Sequence, residues 1–265
     1  LPYGTVDFEY ILTQMRIDKD KQICLSDKAL RTAEHLLLSR YFTYQQVVYH
    51  KTVVAFELLL KDIIEDLLKE DKLDCSASWV TNAIKNEEWH TFDDSHMLQI
   101  FRDQCDSATE KQYKLRLKSI LERKPPKLIF NDEFIESSPE LFKQKTKLIK
   151  EKIDGWTSMF GIDKNLWYLG NKSSTLTKIG SHVSSSAIVA NSADEKDKYE
   201  QAVRIQSDET SNSSIAITDK KNSLIHILGD YALYSLRVYV LFNDDKEEKE
   251  KKEKIKDFLK KDLSV

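Results

Sequence analysis

Apolar positions recur at helical spacing through most of the first half of the chain. From Lys28 to about Glu70 they fall at Leu30, Ala33, Leu37, Val47, Val54, Leu58 and Ile63, the stripe that an amphipathic helix lays against a core. Ser26, followed by Asp27, supplies a helix start. The span exceeds an average globular helix, so the pattern predicts one long helix or two with a kink near Tyr41. Upstream, residues 6–15 read as a short helix and KQICL as a strand. Downstream, Ser76 or Ser78 can cap a helix holding Trp79, Ala83 and Ile84, and Thr91 or Asp93 can cap HMLQIFRDQC. Residues 110–124 form another amphipathic stretch, which Pro125-Pro126 must end.

After those prolines the periodicity shortens. PKLIF, LWYLG, QAVRIQ, SIAIT and RVYVLF are short β-branched or aromatic runs. SPELFKQKTKLIKEKIDGW reads as a charged helix stopping at Gly155, and the Ser-rich tract between Gly170 and Lys198 as a mobile loop. NSLIHILGDYALYSLRVYV reads as a helix leading into a final strand. The ending, NDDKEEKEKKEKIKDFLKK, is a solvated helix with many Glu/Lys pairs four apart. The expected fold is mainly α: a helical part over residues 1–124, then a smaller α+β lobe over residues 125–265 with a charged terminal helix.

Composition fits this picture. Only 6 Gly and 4 Pro in 265 residues favour helices over a turn-rich sandwich, and 40% hydrophobic residues allow a sizeable core. A net charge of −3 argues against a nucleic-acid binder that relies on bulk charge. The three cysteines show no metal or disulfide spacing, no run is apolar enough to span a membrane, and the opening LPYGTVDFEY is not a signal peptide. A cytoplasmic location is expected. The opening also lacks an initiator Met and starts on a turn-like Pro-Tyr-Gly, as the middle of a longer protein would.

Candidate chemistry concentrates in RYFTYQQVVYHK. On one helix Arg40, Tyr44, Val47 and Lys51 share a stripe, at steps of four, three and four. Cations and a phenol in line can neutralise phosphate oxygens and cover a sugar or base, although Arg and Tyr also populate ordinary helix margins. His90, Asp93, Asp94 and His96 form a dense set of metal-ligand types, but Thr91 and Asp93 read better as caps, so no metal site is assigned. His35 and His226 lie among leucines and isoleucines as core-edge residues, and His182 sits in the Ser-rich tract. No P-loop, G-x-G-x-x-G or G-x-S-x-G occurs, so no catalytic constellation is complete.

AEHLLLSRYFTYQQVVYHKTVVAFE resembles the HD-domain phosphohydrolases of the deoxynucleoside-triphosphate triphosphohydrolase type, which carry R-Y-x-M-Y-x-x-V-Y-x-H-K on a long helix. Further similar segments flank it in register. YGTVDFEYI resembles a Y-G-x-V-D helix start, FDDSHML an L-D-D start and LERKPPKLIF an R-R-x-L-x-K-x-V segment. AVRIQ, SIAIT and NSLIHIL, ahead of RVYV, resemble the family's closing β-lobe.

The resemblance implies a helical HD-type core portion. It assigns Arg40 to a substrate triphosphate and Tyr44 to a place against the substrate. Asp7, His50 and Lys51 are assigned to effector or oligomer surfaces. Val48 stands where the family has a tyrosine, and Tyr10 where it often has an arginine. No H-D dipeptide occurs in the chain, so the divalent metal of the H…HD…D centre is expected on an N-terminal HD segment upstream of Leu1. The implied function is the C-terminal portion of a metal-dependent (deoxy)nucleoside triphosphate triphosphohydrolase, inactive alone and expected to form a homo-oligomer. The alternative is a non-catalytic nucleotide-binding or oligomerisation module derived from the same family.

Overall fold

The computed structural model describes residues 5–175, 203–208, 210, 212–229 and 231–263. In chain order the helices are α1 (Phe8–Thr13), α2 (Leu30–Thr43), α3 (Lys51–Lys69), α4 (Ala77–Lys85), α5 (Asp94–Ser107), α6 (Lys111–Leu121), α7 (Glu140–Phe160), α8 (Leu224–Leu228) and α9 (Asp245–Asp262). The strands are β1 (Met15–Ile17), β2 (Ile23–Leu25), β3 (Lys127–Glu136), β4 (Trp167–Thr175), β5 (Arg204–Gln206), β6 (Ser214–Ala216) and β7 (Ala232–Val240). The fold is mainly α with a minor β part, as the apolar spacing predicts.

Two units divide the chain. Unit 1 takes Leu1–Tyr49, Glu133–Leu141 and Lys172–Tyr234; unit 2 takes His50–Asp132, Phe142–Asn171 and Ser235–Val265. Neither is a continuous stretch of the chain.

In unit 1 a four-stranded sheet runs β1–β2–β5–β6, with β2 and β5 parallel and the outer pairs antiparallel. The apolar stripe of α2 supplies Leu30, Ala33 and Leu37 to a core shared with Leu25, Ile205, Ile217 and Ile225. Buried polar groups lock this arrangement. Asp18 accepts hydrogen bonds from Ser214 Oγ (2.5 Å) and from the N–H groups of Asp20 and Gln22 (both 2.9 Å). Burial works against its charge, but these bonds, Ser214's foremost, and the Arg204 guanidinium hold its carboxyl below the usual range. Glu34 accepts from Arg31 (2.9 Å) and from the Leu224 N–H (2.6 Å), which ties α2 to the start of α8.

In unit 2 α3 buries Val54, Ala55, Leu59, Ile63 and Leu67, a continuous helical face. Ser76 Oγ caps α4 through the Trp79 N–H, and Asp93 caps α5 through the His96 N–H, each being one of the two residues expected there. Buried Arg116 on α6 reaches Asp62 (2.5 Å) and Asp66 (2.7 Å) on α3. The second sheet has the order β3–β7–β4. The terminal helix α9 is anchored by fully buried Ile255 and Leu259 and by Asp262, which accepts from Trp156 Nε1 at 3.0 Å and pairs with Lys152 at 3.0 Å.

Two expectations need correction. The charged helix does not stop at Gly155: α7 continues to Phe160. A helical glycine costs only about 1 kcal/mol relative to alanine, and the buried Ile149 and Trp156 beside it outweigh that. The helix expected in NSLIHIL is there, over Leu224–Leu228, and it leads into the expected final strand β7 from Ala232. Of the Ser-rich tract, residues 170–175 extend β4; the rest, with His182, lies outside the described residues.

Candidate functional site

The stripe from Arg40 to Lys51 is not one uninterrupted helix. α2 ends at Thr43, Tyr44–Val48 form a π-helical turn, and His50 adopts an extended ψ of 137° before α3 begins. The break therefore falls at Tyr49–His50, not near Tyr41. Two adjacent valines and an aromatic residue, stiff at χ1 and weak helix formers, make this a favourable place to leave the α-helical path. Single π turns inside helices are rare and frequent at functional sites.

Arg40, on the last turn of α2, and Tyr44 remain one turn apart. The guanidinium carbon of exposed Arg40 lies 5.5 Å from the centre of the Tyr44 ring. Such a contact orients the guanidinium and leaves its N–H edge available to an anion. Tyr44 also meets the Tyr49 ring edge-to-face at 6.0 Å. Next to Arg40, burial and then the charge of Glu133 push the Tyr41 phenol above its usual range.

Two flanking groups escaped sequence reasoning. Ser39 Oγ and Gln45 Nε2 are buried with no hydrogen-bond partner among the described residues. Leaving such a group unsatisfied costs about 1–3 kcal/mol, so their presence in the same two turns marks the segment as unlike a settled core. No periodicity signals them, because a Ser or Gln at a half-buried position is ordinary.

The other candidates have structural duties. Asp7 Oδ1 caps α1 by accepting from the Tyr10 N–H at 2.9 Å. His50 Nδ1 accepts from the Thr52 N–H at 3.3 Å and so caps α3, which places its ring proton on Nε2. Lys51 is the exposed first residue of α3. Arg40, Tyr44 and Asp7 belong to unit 1, His50 and Lys51 to unit 2.

His90 lies in the single turn Trp89–Thr91, outside α5. Among the described residues no three His, Cys, Asp or Glu side chains form a group that could hold a metal ion. Among them, too, no helix is long and apolar enough to cross a membrane.

Residues 6–125 match the HD-associated region. That HD-associated region takes in Asp7, Arg40, Tyr44, His50 and Lys51. No curated protein matches the chain. Among solved structures, a hypothetical protein from Aquifex aeolicus is 17% identical over 98% of this chain and 53% of its own, with a TM-score of 0.57. A phosphohydrolase from Bacteroides thetaiotaomicron is 16% identical over 89% of this chain and 56% of its own, with a TM-score of 0.52. The chain thus spans about half the length of each, and the likeness is one of fold. Together with the HD-associated region, it supports a relation to HD-domain phosphohydrolases.

Proposed function

We propose that this chain is the nucleotide-contacting portion of an HD-type triphosphohydrolase acting on (deoxy)nucleoside triphosphates. The observation that carries the reading is the Arg40–Tyr44 pair on its π-helical turn, with unsatisfied Ser39 and Gln45 beside it. Arg40 binds the phosphate chain and absorbs charge that develops as a phosphate ester is cleaved. Tyr44 orients the guanidinium and offers a surface to the sugar or base. Ser39 and Gln45 supply hydrogen-bonding groups that the fold leaves unused. A divalent metal, which would supply an activated water, would be held by residues outside those described. The relation to HD-domain phosphohydrolases supports this reading.

Calorimetric titration with a nucleoside triphosphate tests this. Losing one charge-assisted hydrogen-bonding group costs about 1.5–3 kcal/mol, so Arg40→Ala is expected to weaken binding by about 10- to 150-fold. Arg40→Lys is expected to restore only part of it, because an ammonium lacks the planar fork. Identical isotherms for the parent and Arg40→Ala would overturn the assignment. Hydrolysis by the isolated chain at ordinary enzyme rates would overturn the division of labour.

An assembly role has its own support. Phe42, Val47 and Val48 are all exposed around the same turn, Val47 at 49%. Homo-oligomerisation through them predicts a smaller species for Val47→Asp in light scattering.

A further inference from the structure

Unit 2 contains a cavity of about 510 Å³ whose lining includes five lysines. Lys51 contributes from the start of α3, Lys127 from the start of β3, and Lys252, Lys256 and Lys260 from α9. No Asp or Glu lines it. The α9 lysines are spaced by four, so they form one stripe, and buried Ile255 and Leu259 fix how the helix is set. Carboxylates approach these lysines from outside the lining. Glu248 meets Lys252 at 2.8 Å and Lys127 at 3.2 Å, and Glu253 meets Lys256 at 2.7 Å.

Folding alone does not favour this arrangement. The first turn of α3 has no acidic residue and carries Lys51 at its positive end, where an anion is the stabilising choice. Glu248 and Glu253 offset part of this charge, and the convergence of five lysines still favours an anion in the shared hollow. Five lysines distributed over about 510 Å³ exceed what one orthophosphate can reach. They suit an extended anion with charges at intervals, and lysine tolerates varied phosphate geometry. The rest of the lining is poor in groups that read a base. Pro125, Pro126, Leu128 and Ile129 offer side chains that are only aliphatic, Phe130 and Tyr239 offer rings, and Asn131 and Thr52 are the short polar groups.

We propose that this cavity binds a chain of three or more linked phosphates, free or as the tail of a nucleotide, read by charge. The proposal does not depend on the role given to Arg40, and the test separates the two. The full chain carrying Arg40→Ala is titrated with inorganic tripolyphosphate, orthophosphate and ATP at two ionic strengths. Tripolyphosphate is expected to bind, and to bind more weakly as salt rises. Adding Lys252→Gln and Lys256→Gln is expected to weaken it at least tenfold with an unchanged melting temperature, and Lys51→Gln to weaken it by a smaller factor. ATP and tripolyphosphate of equal affinity would place the recognition in the phosphate chain alone. ATP bound tenfold tighter would make a nucleotide the source of that chain. Absence of tripolyphosphate binding, binding unchanged in the lysine variants, or orthophosphate bound as tightly would overturn the proposal.

Discussion

Removing the guanidinium of Arg116 would leave Asp62 and Asp66, four residues apart on α3, facing each other without their shared cation. The Arg116 side chain is 5% exposed, while those of Asp62 and Asp66 are 39% and 28% exposed. Orphaning a fully buried partner costs about 3–5 kcal/mol. Because both carboxylates reach water in part, the expected cost of Arg116→Ala is lower, about 2–4 kcal/mol, including its contact over the Tyr113 ring at 5.4 Å. For a chain of this size that corresponds to a fall in melting temperature of roughly 4–16 °C.

The pH dependence gives a second reading. Burial, with smaller contributions from Asp66 and Glu65, raises the Asp62 carboxyl above its usual range, while Arg116 opposes the rise. A carboxyl raised by folding binds its proton more tightly in the folded state, so acidification through that pKa favours the fold. Without Arg116 the rise is larger. The deficit of Arg116→Ala should therefore be greatest near pH 7 and shrink near pH 5. Circular-dichroism melts at both values check this. A variant melting within about 2 °C of the parent at neutral pH, or a deficit that grows in acid, would refute the reasoning.

Two glycine substitutions should move stability in opposite directions. A Cβ on Gly170 would sit 3.2 Å from Val54 Cγ1 and 3.4 Å from Leu58 and Tyr239, so Gly170→Ala should cost about 1–3 kcal/mol in a denaturant titration. Gly155 has nothing within 4 Å in the middle of α7, so Gly155→Ala should gain about 0.5–1 kcal/mol. Asp18→Asn tests the buried network of unit 1. A carboxyl held low by its partners stabilises the fold above its unfolded pKa, and that contribution is lost as pH falls through the folded pKa. The substitution should thus cost more at neutral pH than below about pH 4, as urea titrations would show.

Local signals were legible in the sequence and convergent ones were not. Ser76 and Asp93 identify helix starts because one side chain satisfies one backbone N–H three residues on. Leu30, Ala33 and Leu37 announce the buried face of α2 by spacing alone. The placing of the break at Tyr49–His50 was missed, because the deciding event is a π turn followed by the His50 cap rather than a glycine or proline. Arg40 and Tyr44 could be singled out together because their contact is local, one turn apart. Lys127 and Lys252 share a cavity only because segments more than a hundred residues apart in sequence meet, and no window along the chain contains that fact.

A π-helical turn is an α-helix with one residue too many. Tyr44–Val48 therefore stores a ready register change, since deletion of a single residue such as Gln46 could restore the ordinary ladder. Arg40 and Tyr44 would keep their phase, while every residue after the deletion would rotate by about 100° around the axis. In a lineage of such chains, a length change confined to this turn would re-aim Tyr49, the capping histidine and Lys51 without moving the Arg40–Tyr44 pair. A one-residue gap aligned here would then report a shift of phase, not the loss of a contact.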